Sequence, residues 1–494
     1  MDDRELPQTI PECHALIRAL FDRIGKLEAL VEKQAKRIEE LERRLGLNSR
    51  NSSKPPSSDQ PDAPPRPEKE PTGRKPGGQN GHEGHQRALL PPDKVDRIEP
   101  LWPERCEHCA RDLTTTPIRV EVGEPIRHQV TEIPPARATV VEYQMHSQHC
   151  PDCCLATTAA LPAGVPTSSF GPCLQTVVSV LSGVYRLSKR SLKSALSDLF
   201  GVEISLGGII ACEQRTSAAL AAPVAEVREY VQQQAVLNAD ETGWREGRKK
   251  AWLWVAVTTY ATAFMIHARR GTQAAGKLLG TFAGILGSDR WCAYAGHKLR
   301  KRQLCWAHLR RHFEDFAQYK GPACTIGGAL VLFTKDLFRH WHQARDQTWS
   351  LAKLRKTIAP TRHSIEELLR RGSVCGERKV EGTCKELVKY SEALWTFTRV
   401  AGVEPTNNAA ERALRHAVIM RKTSFGTHSQ EGSRFIERIL TTVATLRQQD
   451  RNIVAYVQET CERAIEGKRP RSLLPNAQIM TTDALAAADR HSTP

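Results

Sequence analysis

Three apolar runs follow one another between residues 235 and 266: Ala-Val-Leu-Asn-Ala-Asp at 235–240, Ala-Trp-Leu-Trp-Val-Ala-Val at 251–257 and Ala-Thr-Ala-Phe-Met-Ile at 261–266. Runs this short, and apolar at successive positions, suit strands buried on both faces. The second and third are close enough to be joined by a tight turn. The first run ends on Asp240. Residues 273–279 then read as a helix, 284–287 as a short strand leading to Asp289, 303–306 as another strand and 309–316 as a helix. The predicted order is β-β-β-α-β-α-β, within a mixed α/β fold.

That order is the order of a ribonuclease-H-like core, where the first and fourth strands are sheet neighbours. Asp240 and Asp289, at the ends of those strands, are therefore expected side by side. Paired carboxylates suit magnesium, which takes hard oxygen ligands and keeps several waters. Two such ions about 3.5–4 Å apart can assist an in-line displacement at phosphorus. The arrangement needs a third acid from a helix, and composition cannot pick it from 55 Asp and Glu residues. The 320–400 stretch is mostly helix-patterned and reads as an insertion (about 318–402) in a catalytic domain spanning 233–425.

Upstream, Ile17, Leu20, Ile24, Leu27, Val31, Gln34, Ile38, Leu41 and Leu45 step by 3 and 4. A coiled-coil helix over 12–46, joining copies of the chain into a homo-oligomer, is expected; one amphipathic helix packed on its own protein fits the same pattern. Residues 47–104 read as a basic, flexible linker. Twelve of the 29 prolines lie between 46 and 105, and Arg74 and Lys75 there are candidate phosphate contacts.

Cys106-Glu-His-Cys109 and Cys150-Pro-Asp-Cys153 each present two sulfurs at metal-ligand spacing. Together they predict a four-thiolate structural Zn²⁺ site in a β module over 105–160. Alternating apolar sequence at 119–122 and 139–143 suggests a β-ribbon between the pairs. Cys154, His108 and His149 are alternative ligands. Residues 168–232 read as helices. Gly201 can end one and Ser205 can cap the next, as in a helix-turn-helix, with Lys189, Arg190, Lys193 and Arg215 toward phosphate. A plain helical hairpin fits equally.

Lys and Arg total 71 against 55 acids, a net charge of +16, which makes nucleic acid the first candidate partner. No apolar run approaches the roughly 20 residues of a membrane span. The first residues, Met-Asp-Asp-Arg-Glu-Leu, are acidic and without an apolar stretch, so a signal peptide is not expected. Fourteen cysteines are too sparse for a secreted disulfide scaffold. Thiols or metal ligands in the cytoplasm, near the nucleoid, are the expectation. Basic helices over 426–474 and a disordered tail over 475–494 complete the chain.

Asn51-Ser-Ser-Lys-Pro-Pro-Ser-Ser-Asp, Gly73-Arg-Lys-Pro-Gly-Gly-Gln, the two CxxC pairs, Asp240-Glu-Thr-Gly-Trp-Arg, Cys305-Trp-Ala-His-Leu-Arg-Arg and Asn407-Asn-Ala-Ala-Glu-Arg-Ala-Leu-Arg occur in one order. In that order they resemble the large transposase of the IS66 family of bacterial insertion sequences, over nearly the whole chain. The resemblance implies a DDE transposase with a ribonuclease-H-like catalytic domain, two Mg²⁺ (or Mn²⁺) ions, DNA ends and target as substrates, and small accessory proteins of the same element. The family's acids fall on Asp240, Asp289 and Glu411. Glu241, Glu246, Asp315, Glu404 and Glu431 lie off the motif. Thr406 can cap the helix of Glu411, so that Asn407, Asn408, Arg412 and Arg415 project beside it toward phosphate. Arg310, Arg311, Arg421 and Lys422 extend the basic set. His308 reads either as a group beside the carboxylates or on DNA, or as core packing. A DNA-binding regulator with a silent catalytic fold, and a nuclease without strand transfer, are the competing functions.

Overall fold

The computed structural model describes residues 9–45, 88–115, 123–133, 136–346 and 348–475. Arg74, Lys75, most of the linker, the 119–122 run and the tail beyond 475 lie outside the described residues. The chain divides into two compact units, one of residues 64–137 and one of 1–63 with 138–494. In the smaller unit the described backbone is irregular, held by contacts such as Leu90 N–H to Gln129 Oε1 at 2.8 Å.

The larger unit starts with helix α1 (Ile10–Leu45). The pair β1 (Ser147–His149) and β2 (Ala156–Thr158) is a small antiparallel hairpin around the second CxxC. Residues 139–143, expected as a strand, form none: Val140 is 87% exposed, and no strand pairs with this run among the described residues. Four helices follow, α2 (Pro172–Gly183), α3 (Lys189–Phe200), α4 (Leu206–Ala219) and α5 (Ala221–Gln232). The turn between α3 and α4 has the expected chemistry. Gly201 takes φ of 65°, and Ser205 Oγ accepts the Gly208 N–H at 3.0 Å. Lys189, however, is drawn to the buried Glu213 carboxylate, which also accepts from Ser182, so its ammonium is engaged within the protein.

The sheet has five strands: β3 (Val236–Glu246), β4 (Lys249–Val257), β5 (Thr262–His267), β6 (Ile285–Ser288) and β7 (Arg302–Leu304), in the order β5-β4-β3-β6-β7. β3, β4 and β5 are antiparallel neighbours, whereas β3, β6 and β7 run parallel. The fourth strand in sequence thus lies beside the first. Helix α6 (Thr272–Leu279) makes the crossover into β6. The β-β-β-α-β-α-β order calls for a helix between the 284–287 and 303–306 strands, where the residues themselves predict none, and two 3₁₀ turns, 292–294 and 299–301, stand there. β3 also runs past Asp240 to a hairpin turn at Gly247, which takes φ of 58°.

After α7 (Trp306–Phe316), helices α8 (Pro322–Arg345), α9 (Leu351–Gly372), α10 (Arg378–Lys389) and α11 (Ser391–Leu394) build a second core with Leu330, Leu337, Ile358, Ile365 and Leu387. The chain returns through α12 (Asn408–Ser424), α13 (Gln430–Gln448) and α14 (Ile453–Ile465). One apolar cluster joins Val180 of α2, Val227 of α5, Leu253 of β4, Leu414 of α12, Ile439 of α13 and Val457 of α14. The last helices are therefore integral to the sheet domain.

α13 also closes the sheet edge at β5. Thr262, Phe264 and Ile266 have N–H groups with no neighbouring strand. They donate to Thr445 Oγ1 at 3.1 Å, Thr441 Oγ1 at 3.0 Å and the carboxylate of Glu437. Those acceptors sit four residues apart on one helical face, so every other strand residue meets one turn of helix. An open edge that would template pairing with another chain is covered.

Candidate active site

The register of β3 with β6 positions the first two acids. The last paired residues are Asn238 and Gly287, and two residues further each strand reaches its carboxylate, Asp240 or Asp289. Gly287 permits the approach, since a Cβ there would run into Asn238 Oδ1. Glu411 is in the first turn of α12, its N–H on Asn407 O at 3.2 Å.

The side chain of Asn407, only 1% exposed, ties the three segments together. Its Nδ2 donates to Ala239 O, next to Asp240, at 2.8 Å, and its backbone N–H meets Cys305 Sγ at 3.1 Å. Cys305 N–H in turn donates to Ser288 O, next to Asp289, at 3.0 Å. Asn407 and Cys305 are thus the clamp that ties together the three segments bearing Asp240, Asp289 and Glu411, close enough for the charges of Asp289 and Glu411 to act on Asp240. The sequence reading had Asn407 facing phosphate below a Thr406 cap. Instead Asn407 is the cap residue and makes no side-chain capping bond, because the Nδ2 bond to Ala239 orients the amide so that Oδ1 meets no helix N–H.

The carboxylates burden one another. Burial first, then the charges of Glu241 and Asp289, with Glu411 behind them, push the Asp240 carboxyl well above its usual range, against one favourable bond from Glu241 N–H. Asp289 Oδ1 accepts from Trp291 N–H at 2.9 Å, and its carbonyl accepts from the buried Arg302 at 3.1 Å. Glu411 faces two basic side chains of α7, with Oε1 3.4 Å from His308 Nδ1 and Oε2 3.6 Å from Arg311 Nη2. Burial lowers the His308 pKa, and burial with the Arg290 charge brings His312 to about 3, so both imidazoles are neutral at physiological pH. Hard carboxylate oxygens that raise the Asp240 pKa in this way are a donor set that a hard divalent ion fits.

Glu241, set aside at the sequence level, is fully buried at its side chain. It accepts from Tyr294 Oη at 2.6 Å and Arg270 Nε at 2.9 Å. Arg270 itself stacks between Trp252, 4.8 Å from its ring centre, and Trp291, 3.9 Å away. Successive strand residues face opposite ways, so Glu241 anchors the sheet from the side away from Asp240. No sequence signal marks this network, because its members come from four separate elements.

Of the expected DNA contacts, Arg412, Arg415 and Lys422 are exposed, and Asn408 is half-buried. Arg310 is exposed but pairs with Glu314 at 2.9 Å. Arg311 turns to Glu411, and Arg421 turns inward to Thr242 Oγ1 at 3.0 Å and Gly243 O at 2.8 Å.

The model of the family described as "Transposase IS66 family" matches residues 170–434, more than half of the chain and all of this site. The chain belongs to the IS66 family of transposases. Its N-terminal residues 2–88 match a second family, described as of unknown function. Two relatives from Sinorhizobium fredii are both uncharacterized. Protein y4qI is 28% identical over 241 residues, 44% of each chain. Protein y4hP is 24% identical over 413 residues, 75% of this chain and 73% of the relative. The chain thus spans under half the length of the first. Among the described residues no helix is long and apolar enough to cross a membrane.

The two CxxC turns of this IS66-family chain fold alike. Cys106 N–H bonds Arg111 O at 2.9 Å and Ala110 N–H bonds Cys106 O at 2.8 Å; Cys150 and Leu155, then Cys154 and Cys150, repeat this, each at 2.9 Å. Ala110 and Cys154 both take φ of 58°, so Cys154 occupies the turn position that Ala110 fills in the other pair. Amide N–H groups of Cys109 and His108 lower the Cys106 thiol pKa, and those of Cys153 and Asp152 lower that of Cys150. Such turns stabilise thiolates, the form that binds metal.

Proposed function

We propose that this chain is a DNA transposase in which Asp240, Asp289 and Glu411 hold two Mg²⁺ (or Mn²⁺) ions. The observation that carries the reading is the clamp of Asn407 and Cys305, which draws these acids from β3, β6 and α12 into one mutually repelling cluster within a family of transposases. The strand order, with the first and fourth strands adjacent, supports a ribonuclease-H-like core. Bound divalent ions would supply charge stabilisation at phosphorus and a more acidic attacking water.

The reaction has two displacements. A water oxygen attacks a phosphodiester at the element end, the bond to the 3′ oxygen breaks, and a 3′-hydroxyl is freed. That hydroxyl attacks a phosphodiester of target DNA, forming one P–O bond as another breaks. The chain's own residues position these steps: Asn407 fixes the start of α12, and the Arg311 guanidinium faces the Glu411 carboxylate. Exposed Arg412, Arg415 and Lys422 meet the DNA backbone.

Three further parts complete the reading. Each CxxC turn contributes two thiolates to structural Zn²⁺, so metal analysis that finds no zinc in freshly purified protein would count against it. The α3–α4 turn takes the helix-turn-helix role at element ends. On α1, Ile17, Leu20, Ile24, Leu27, Val31, Ile38 and Leu41 are each at least 42% exposed, a seam that fits a second copy of the chain. Light scattering that finds a monomer at working concentration would refute the seam. Accessory proteins of the same element and a cytoplasmic, nucleoid setting belong to the same proposal. The experiment that tests it as a whole is Mg²⁺-dependent nicking and joining on DNA ending in the element's own inverted repeats.

A further inference from the structure

Cys305, His308 and Glu411 offer a thiol, an imidazole and a carboxylate at one place, with one ligand atom from each, all within 4.8 Å of one another. The first two stand at the start of α7, where Cys305 is the cap residue and its carbonyl accepts from Leu309 N–H at 3.1 Å. The amides of His308 and Ala307 donate to Cys305 Sγ, as those of Cys109 and His108 do to Cys106 and those of Cys153 and Asp152 to Cys150, but at Cys305 burial outweighs them and pushes the thiol up to about 12, so only a bound cation would displace its proton. At all three places the residue three positions on bears a side chain that binds metal, and at Cys305 a further N–H comes from Asn407.

The site also contains unspent polar atoms. His308 Nδ1 and Glu411 Oε1 are both buried without a hydrogen-bond partner, although only 3.4 Å separates them. Asn407 Oδ1 is a third such atom. A direct hydrogen bond between His308 and Glu411 would be shorter, near 2.8 Å. Two ligand atoms on a tetrahedral ion at bond lengths of about 2.0–2.2 Å stand about 3.4 Å apart, which matches the spacing found.

We propose that Cys305, His308 and Glu411 form a site for a zinc-class divalent cation, distinct from the CxxC turns, with its fourth position open. Because Glu411 would then ligate the softer ion, occupancy withdraws it from Asp240 and Asp289; this consequence rests on the transposase reading above, whereas the binding does not. On binding, the Cys305 S–H bond breaks, a sulfur–metal bond forms and the proton passes to solvent. His308 Nδ1, the ring atom that faces Glu411 Oε1 without a hydrogen-bond partner, would bind the ion. Magnesium takes oxygen rather than thiolate ligands and does not compete for the sulfur.

The test is a metal count on the full-length protein. Chelator-stripped wild type, Cys305→Ser, His308→Gln and Asp240→Asn are each dialysed against Cd²⁺ and then Co²⁺, with the cobalt charge-transfer absorption followed. Wild type and Asp240→Asn should take up one equivalent more than either Cys305→Ser or His308→Gln, with the CxxC equivalents present in all four. Equal uptake by wild type and both site variants overturns the proposal. Using two site variants guards against one that does not fold. Nicking on end DNA is read in parallel, and an Asp240→Asn protein that still cuts refutes the transposase reading while leaving the metal count intact.

Discussion

Replacing Asn407 by Ala probes the clamp on which the site depends. The side chain is 1% exposed, and its Nδ2 is bonded to Ala239 O at 2.8 Å. Truncation leaves that buried carbonyl without its donor, a penalty of about 1–3 kcal/mol. The lost amide vacates roughly 30 Å³, which at about 24 cal/mol per Å³ adds roughly 0.7 kcal/mol. Removal of the unpartnered Oδ1 offsets part of this, so a loss of about 1–3 kcal/mol is expected, measured as a lower urea midpoint at unchanged slope. Asn408→Ala, one residue on and half-buried, should stay within about 0.5 kcal/mol of wild type. The functional loss should be larger than the stability loss implies. A displacement of about 1 Å at a catalytic group can cost about 100-fold, so nicking should fall by that order while end binding in a gel-shift assay is kept. An Asn407→Ala protein with wild-type stability and nicking would refute the clamp.

Other perturbations separate the remaining contributions. Thr441→Val strips the acceptor from Phe264 N–H and should cost about 1–3 kcal/mol, whereas Thr442→Val, whose buried hydroxyl has no partner, should be near neutral; thermal unfolding of the pair decides. Arg270→Met leaves Glu241 buried without its cation and should cost about 3–5 kcal/mol at neutral pH. Its folded pKa, already raised by burial, rises further in the variant. The defect should therefore shrink at acid pH, where the carboxyl is protonated in both states, and grow as pH climbs; urea melts at both ends check the sign. Asp240 follows the same rule, because a carboxyl with a raised folded pKa loses stability as pH rises through it. Asp240→Asn should raise the melting temperature in metal-free buffer at neutral pH, and it should abolish the stabilisation that Mg²⁺ gives wild type.

The readable parts of this fold were those governed by local chemistry. Apolar runs at 251–257 and 261–266 have the length and β-propensity of buried strands, and Gly201 and Ser205 carry the stop and start of helices in their own backbone preferences. Asp240 and Asp289 were legible because register is a consequence of strand order. Asn407 was not, since an asparagine at a helix start reads as exposed capping chemistry, and only the distant carbonyl of Ala239 makes it a buried clamp. The edge cover on β5 was missed for a related reason. Glu437, Thr441 and Thr445 form a polar stripe on the apolar face of α13, a pattern that periodicity scores as noise until an unpaired strand lies beneath it. Glu241 and Arg270 escaped because burial of an ion pair follows from tertiary packing and leaves no mark in spacing.

The most direct test of the central claim is strand cleavage by Asp289→Asn on end DNA with Mg²⁺. This change keeps the side chain's size and leaves the backbone bonds of Asp289 intact, so folding and end binding should survive. The account predicts end binding at wild-type affinity with no nicked product. Cleavage at the wild-type rate by that protein would contradict it.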